Sequence, residues 1–528
     1  MANTVSKPQT ITPAPQAKSA GRASAGWYVL LVAMVLGCIA ASVYSQKGGW
    51  LFGEADHFLV DHNDRDRPFL SKVLSPHSHD ATQYQARELS HFFENLDARF
   101  IYWSVNHNAP HFYSIINFVF LAIISVAHFY YTTRYLRMDP WISILLIALF
   151  WTAPCIFFSG IYLRAAKVGA ALMLFFLAWN MIRNTGYVND GRKFLNPNTA
   201  AFKVFLCAQT FFLTLAMCWM DRQGYYIAGC FILTLIGFWL GPKIPFRVLL
   251  ITSMAAALVV HTIYGKYIGP GLILKHTGFQ VSFEYQKLPW SQFFDNFFKY
   301  IWQGIVLLLN NFRWYFGNFT GGLTLFVWAA ICWMFSKPRV RRVDARPEPS
   351  LKSFLAILFA GWIALLVFMN ALMALRHEPL IWPDHRTFYY WIPTTVLVLL
   401  AVTFSIQSAL QRFAIPIWVP RLVLLALVIS NLSALPEHNQ VVRTGHLQGY
   451  IAAAPHLLKA LKELSNTPVA AAPTAKFDAA KLSRIEGDFN AILKNPLAHP
   501  NMTVQDFIFS SHFYNYLRSI RNLEFRQP

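Results

Sequence analysis

The sequence predicts an all-α polytopic membrane protein with about eleven transmembrane helices and a small helical extracytoplasmic tail. Three observations carry that prediction. The 528 residues are 55% hydrophobic and only 13% charged. The apolar residues come in repeated blocks of bilayer-spanning length. The Lys and Arg residues between the blocks concentrate in every second loop, as they do when those loops face the cytoplasm. The net charge of +20 does not point to nucleic acid, because the basic residues sit in short loops with no basic helix or aromatic RNA-binding motif. All six cysteines fall inside apolar stretches, so they show neither a disulfide framework nor a metal-ligand spacing.

Residues 1–26, rich in Ser, Ala, Pro and Thr, read as a disordered cytoplasmic tail. The run 27–44 is long for a cleaved signal and reads as a retained anchor. Further apolar blocks follow at 112–133, 139–158, 161–181, 203–220, 225–241, 246–264, 314–335, 353–375, 387–408 and 416–434. Together, residues 27–434 make the transmembrane domain. With the N-terminus inside, the cytoplasmic loops receive Arg134 and Arg137, then Arg183, Arg192 and Lys193, then Lys243 and Arg247. The next two receive the Lys337–Lys352 cluster and the pair Arg412 and Arg421. The other face carries a first loop at 45–111, a loop at 265–313 and the tail at 435–528. Within the second of these, the apolar segment 300–312 is too short for a span and reads as a re-entrant or interfacial helix. The tail has helical spacing on either side of a Pro/Ala-rich linker. This layout suits a multi-pass protein of a bacterial inner membrane, with its chemistry on the extracytoplasmic face.

Unusual polar residues accumulate on that face. Just after the first span, "GEADHFLVDHNDRD" places Glu54, Asp56, Asp61, Asp64 and Asp66 around His57 and His62. A carboxylate held at the membrane surface can act as general base on a hydroxyl brought within hydrogen-bond reach. The same residue types can hold a divalent ion, although no spacing here is diagnostic of one. Basic residues at span ends form a second set. Arg164 and Lys167 lie three apart, so they project from one side of a helix. Arg222 sits in a very short turn beside Asp221, which can simply neutralise it, and Arg376, His377, His385 and Arg386 flank an aromatic stretch. Fixed cations of this kind stabilise a phosphate that gains charge, and an isolated snorkelling charge is the plainer reading of each.

The first loop and second span, "YQARELSHFFENLD" followed by "SVNHNAPHFYSIIN", resemble the C-type (GT-C) membrane glycosyltransferases that use polyprenyl-phosphate sugars, especially those similar to protein O-mannosyltransferases. The matching residues are Asp56, Arg87, Leu89, Ser90, Asp97, Pro110, His111 and Asn117. Glu88 stands where the family has Pro, and the acidic element reads Glu-Ala-Asp, so the base role is open between Glu54 and Asp56. The resemblance implies inverting transfer of a sugar from a polyprenyl-phosphate donor to a hydroxyl on a glycan, lipid or protein. It also implies that Arg87 and Asp97 organise the loop and that Arg164, Lys167, Arg222, His385 and Arg386 serve the donor phosphate. Two other readings stand beside it. One is a transporter or flippase for a lipid-linked or anionic solute, which predicts ionisable residues in mid-span. The other is a non-catalytic envelope assembly protein.

Overall fold

A computed structural model of the chain describes residues 25–45, 68–74, 86–106, 113–161, 165–184, 199–237, 246–277, 392–412 and 415–439, with short pieces at 291, 294–295 and 315–316. Every regular element among them is helical. The expected blocks at 314–335 (apart from 315–316) and 353–375, segment 300–312, residues 1–24 and the tail beyond 439 lie outside the described residues.

The first helix, α1, spans Ala25–Ser45. Two helices follow in the expected first loop, a short α2 at Phe69–Leu74 and a longer α3 at Glu88–Asn106. The second span is α4, Ile115–Arg134, which starts where the Ser114 hydroxyl accepts the Asn117 backbone N–H. The expected span at 139–158 divides into α5, Pro140–Thr152, and a single turn α6, Pro154–Phe157. Its break is set by Pro154, which pushes Ala153 to an extended ψ of 124°. A 3-10 turn at Ser159–Ile161 precedes α7, Ala165–Asn184. Next come α8, Ala200–Met220, and α9, Arg222–Gly237, joined by Asp221 alone. Then α10, Arg247–Ile263, continues through a π-helical turn, Tyr264–Ile268, into α11, Gly269–Thr277. This helix overruns the loop expected from 265. The last two helices among the described residues are α12, Ile392–Arg412, and α13, Trp418–Asn439.

Six of these helical stretches are long and apolar enough to cross a membrane, and two shorter apolar helices accompany them. The chain is a multi-pass membrane protein. In water the outward stripes would be untenable: α4 alone exposes Val119, Ile123, Val126 and Tyr130, four residues at helical spacing. The inward faces are apolar too, so each span reads as a continuous run. The most enclosed helix is α7, packed on α4, α8 and α12, with Phe175 and Leu174 fully buried beside Leu121, Ile124 and Phe404. Two polar contacts tie this core internally. The Trp151 indole N–H donates to the Ser125 hydroxyl at 2.8 Å, and His128 Nε2 lies 3.2 Å from the Thr403 hydroxyl.

Two ends of the bundle can be told apart by what ties them. At one, Arg421 grips the Asp139 carboxylate with two N–H groups at 3.1 and 2.7 Å, and Gln407 donates to the Leu136 carbonyl at 3.0 Å. The two basic segments expected on one face, around 134–140 and 412–421, therefore meet. At the other end gather the start of α4, the 159–161 turn, the start of α7 and the α8–α9 turn, with α3 packed on α4, α7 and α8.

Candidate functional site

The site is assembled at this second end. Its centre is Asp221, whose extended backbone ends α8 and whose carboxylate caps α9 by accepting the Gln223 backbone N–H at 2.8 Å. Only glycine fits at 224, because a Cβ there would meet the Met217 carbonyl oxygen at 2.4 Å. That close approach holds the turn tight and aims the carboxylate inward. The same Asp221 oxygen accepts Lys167 Nζ at 2.8 Å, with the two side chains 3% and 7% exposed. Lys167 stands on the first turn of α7, 54 residues away in sequence.

Arg87 approaches from a third segment. It is buried, and it follows Ala86, which adopts a left-handed φ of 49°. Such a conformation costs a residue with a Cβ roughly 1 kcal/mol or more, and neighbours hold it in place. Ala86 packs with Leu74 and Ile273, and its carbonyl accepts His261 Nε2 at 3.3 Å. Burial pushes the Asp221 carboxyl up, but the positive fields of Lys167 and Arg87 outweigh it and leave the group below its ordinary value. Two buried cations from separate segments are thus gathered on one carboxylate, and Arg222, half-buried, begins α9 directly beside it.

Asp97 forms a second buried node. Its two oxygens accept the Ser114 hydroxyl and, at 3.0 Å, the Ile116 backbone N–H. Asn117 then donates through Nδ2 to the Ser159 carbonyl at 2.9 Å, and the Ser114 N–H donates to the Gly160 carbonyl at 2.7 Å. One network therefore welds α3, the N-terminus of α4 and the 159–161 turn. Gly160 is required in it, because a Cβ would sit 2.1 Å from the Phe118 ring. Burial raises the Asp97 carboxyl to about 7, with Glu94 adding to the effect and the Ser114 and Ile116 hydrogen bonds opposing it.

Of the residues expected from sequence, Arg87 and Lys167 come together around Asp221, Arg222 follows it directly in the chain, and Asp97 is committed to capping α4. Glu54, Asp56, Arg164, His385 and Arg386 lie outside the described residues. Helix α1, which precedes Glu54 and Asp56 in sequence, ends at this same end, where the Ser42 hydroxyl donates to the Phe157 carbonyl at 2.6 Å. Among the described residues, no group of three His, Cys, Asp or Glu side chains is arranged to hold a metal ion. Sequence reasoning gave Asp221 as a neutraliser of its neighbour Arg222 and did not foresee the Lys167 ammonium that its carboxylate accepts. Sequence reasoning also passed over Glu94, buried and accepting the Ser90 hydroxyl at 2.8 Å, and His91, whose Nδ1 donates to the Val73 carbonyl at 3.1 Å.

No family model and no curated protein matches the chain.

Proposed function

We propose that this protein is an inverting membrane glycosyltransferase that moves a sugar from a polyprenyl-phosphate donor to a hydroxyl-bearing glycan, lipid or protein, on the extracytoplasmic face of a bacterial inner membrane. The observation that supports this reading best is the convergence of Arg87 and Lys167 on Asp221 at the end of the bundle where the acidic first loop begins. In this reading Glu54 or Asp56 takes the proton from the acceptor hydroxyl. The freed oxygen bonds to the anomeric carbon from the side opposite the phosphate. The bond from that carbon to the phosphate oxygen breaks, its electron pair stays on the oxygen, and polyprenyl phosphate leaves with one additional negative charge. Fixed cations in a partly dry site stabilise that developing charge without having to reorganise. Lys167, Arg87 and Arg222 supply them from the described residues, and Arg164, His385 and Arg386 are assigned to the same phosphate from sequence.

Transfer of radiolabelled sugar from a panel of polyprenyl-phosphate sugars by the purified full-length protein tests the proposal, with Asp56→Asn and Glu54→Gln alongside. The expected result is turnover or donor hydrolysis that one of the two carboxylate variants abolishes while still binding donor. If no donor binds or turns over, and both variants complement a deletion strain as wild type does, the catalytic reading fails.

A further inference from the structure

One pair of polar groups in the core is left over by the contacts described above. His128 of α4 and Trp179 of α7 are 0% and 3% exposed, and their ring centroids lie 6.1 Å apart with the planes tilted by 59°. Among the described residues, neither His128 Nδ1 nor the Trp179 indole N–H has a hydrogen-bond partner. Trp151, in the same core, shows the usual solution: its indole N–H donates directly to the Ser125 hydroxyl.

The protons on this pair can be assigned. The Thr403 hydroxyl lies 2.7 Å from the Leu399 carbonyl, which can only accept, so its hydrogen points there. The Thr403 oxygen, 3.2 Å from His128 Nε2, is then the acceptor of the second bond, and Nε2 carries the ring proton. An imidazolium would have no counter-charge, since α4, α7 and α12 contain no Asp or Glu. The ring is neutral, and Nδ1 is a bare lone pair. On the neighbouring ring the Trp179 indole is a donor and nothing else.

The two groups are complementary, yet they do not bond to each other. Whatever joins them must donate to Nδ1 and accept from the indole. A cation would face the N–H and an anion would face the lone pair, so neither fits. The joining group must also be small. Phe175 and Phe404, both fully buried, stand 6.0 Å from the His128 ring and 5.6 Å from the Trp179 ring, and Tyr131 covers Trp179 at 4.9 Å. Water meets these conditions. Its oxygen, about 2.9 Å from each nitrogen, reaches both, and polar groups that would otherwise stay bare in the hydrocarbon layer hold such a water firmly.

We infer that His128 and Trp179 form a buried water site within the membrane core, in which one water accepts the Trp179 N–H and donates to His128 Nδ1. The water links α4 to α7, while His128 Nε2–H links α4 to α12 through Thr403. Twelve residues of α7, about 18 Å of helix axis, separate this joint from Lys167. It lies apart from the candidate site and holds whatever reaction the protein performs.

Magic-angle-spinning NMR tests it on full-length protein in phosphatidylglycerol/phosphatidylethanolamine bilayers, isotope-labelled at the nitrogens of histidine and tryptophan. His128→Gln and Trp179→Phe identify the two ring signals by subtraction. Each ring is a separate readout, so misfolding of one variant leaves the other to decide. The expected spectrum has His128 protonated on Nε2 alone, with magnetisation passing from water protons to both Nδ1 and the Trp179 indole. In Trp179→Phe the transfer to Nδ1 should weaken, because the water has lost one of its two partners. A proton on His128 Nδ1, or water transfer to neither nitrogen or to only one, overturns the site. Transfer to Nδ1 that is unchanged in Trp179→Phe overturns the bridge.

Discussion

Replacing Asp221 with Asn removes one negative charge from between two buried cations while keeping the side chain's size and its acceptor for the Gln223 N–H. What is lost is therefore the charge and little else. Lys167 Nζ sits 2.8 Å from the carboxylate with both side chains under a tenth exposed, and breaking such a pair from one side costs about 3–5 kcal/mol, because the survivor stays buried and uncompensated. Arg87 makes the effect asymmetric. Asp221→Asn strands two cations and should fall near the upper figure, whereas Lys167→Met leaves Asp221 facing Arg87 and should fall near the lower. The double variant should lie between the two, since removing Lys167 relieves part of the repulsion that Asn creates. Reversible unfolding in mixed SDS–detergent micelles reads all three. The lower figure alone shifts the folding equilibrium by roughly a hundredfold. Losses under about 1 kcal/mol for both single variants, the range of exposed pairs, or simple additivity in the double, would refute the claim that these charges form one buried unit. The sign of the pH dependence follows from the lowered Asp221 carboxyl: its contribution is complete above about pH 4 and is lost as pH falls through the folded-state value.

Asp97 should behave in the opposite way. Its carboxyl is raised to about 7, so the folded state holds a proton that the unfolded state releases near pH 4, and stability falls as pH rises between those values and is level above them. Asp97→Asn, which can still accept from Ile116 and donate to Ser114, should flatten that slope in unfolding measured from pH 4 to 8. At the opposite end, Asp139→Ala removes both the Ile142 cap at 3.2 Å and the grip of Arg421, for about 1–2 kcal/mol. Arg421→Ala should cost less than 1 kcal/mol because that pair is partly solvated; equal losses in the same unfolding assay would contradict the capping role. Gly224→Ala should cost at least 2 kcal/mol because its Cβ meets backbone, while Gly169→Ala meets the movable end of Met220 and should cost less. A thermal-shift series ranks the two directly.

Spans such as α4 and α8 were legible because bundle-facing and lipid-facing positions are both apolar, so they read as unbroken runs with their ends within a few residues. The break in α5 needed one more step, since Ala153 is turned aside only by the proline that follows it. Lys167 and Arg222 drew notice as cations at span ends and Arg87 as a match to the glycosyltransferase pattern, yet the pairing of Lys167 with Asp221 was invisible, because 54 residues separate the two and nothing local marks it. For α3 the ordinary rule inverts. Its polar side is the buried one, and the pattern Ser90-His91-Phe92-Phe93-Glu94-Asn95 does not say which side that is.

The π-helical turn at Tyr264–Ile268 gives the longest helix among the described residues an unequal winding. From Arg247 the continuous helix runs 30 residues to His276, about 45 Å, and so outreaches a hydrocarbon core of about 30 Å. A π turn closes its hydrogen bonds one residue later than an α turn, which rotates everything beyond it by about 100° relative to plain α winding. That rotation is what turns Ile273 towards Leu74 and Ala86. The turn thus works like a keyway cut in a shaft. Deleting a single residue there would leave a perfectly good helix whose far end no longer engages the strained Ala86, and the arginine beside it would lose its aim without any residue of the site having changed.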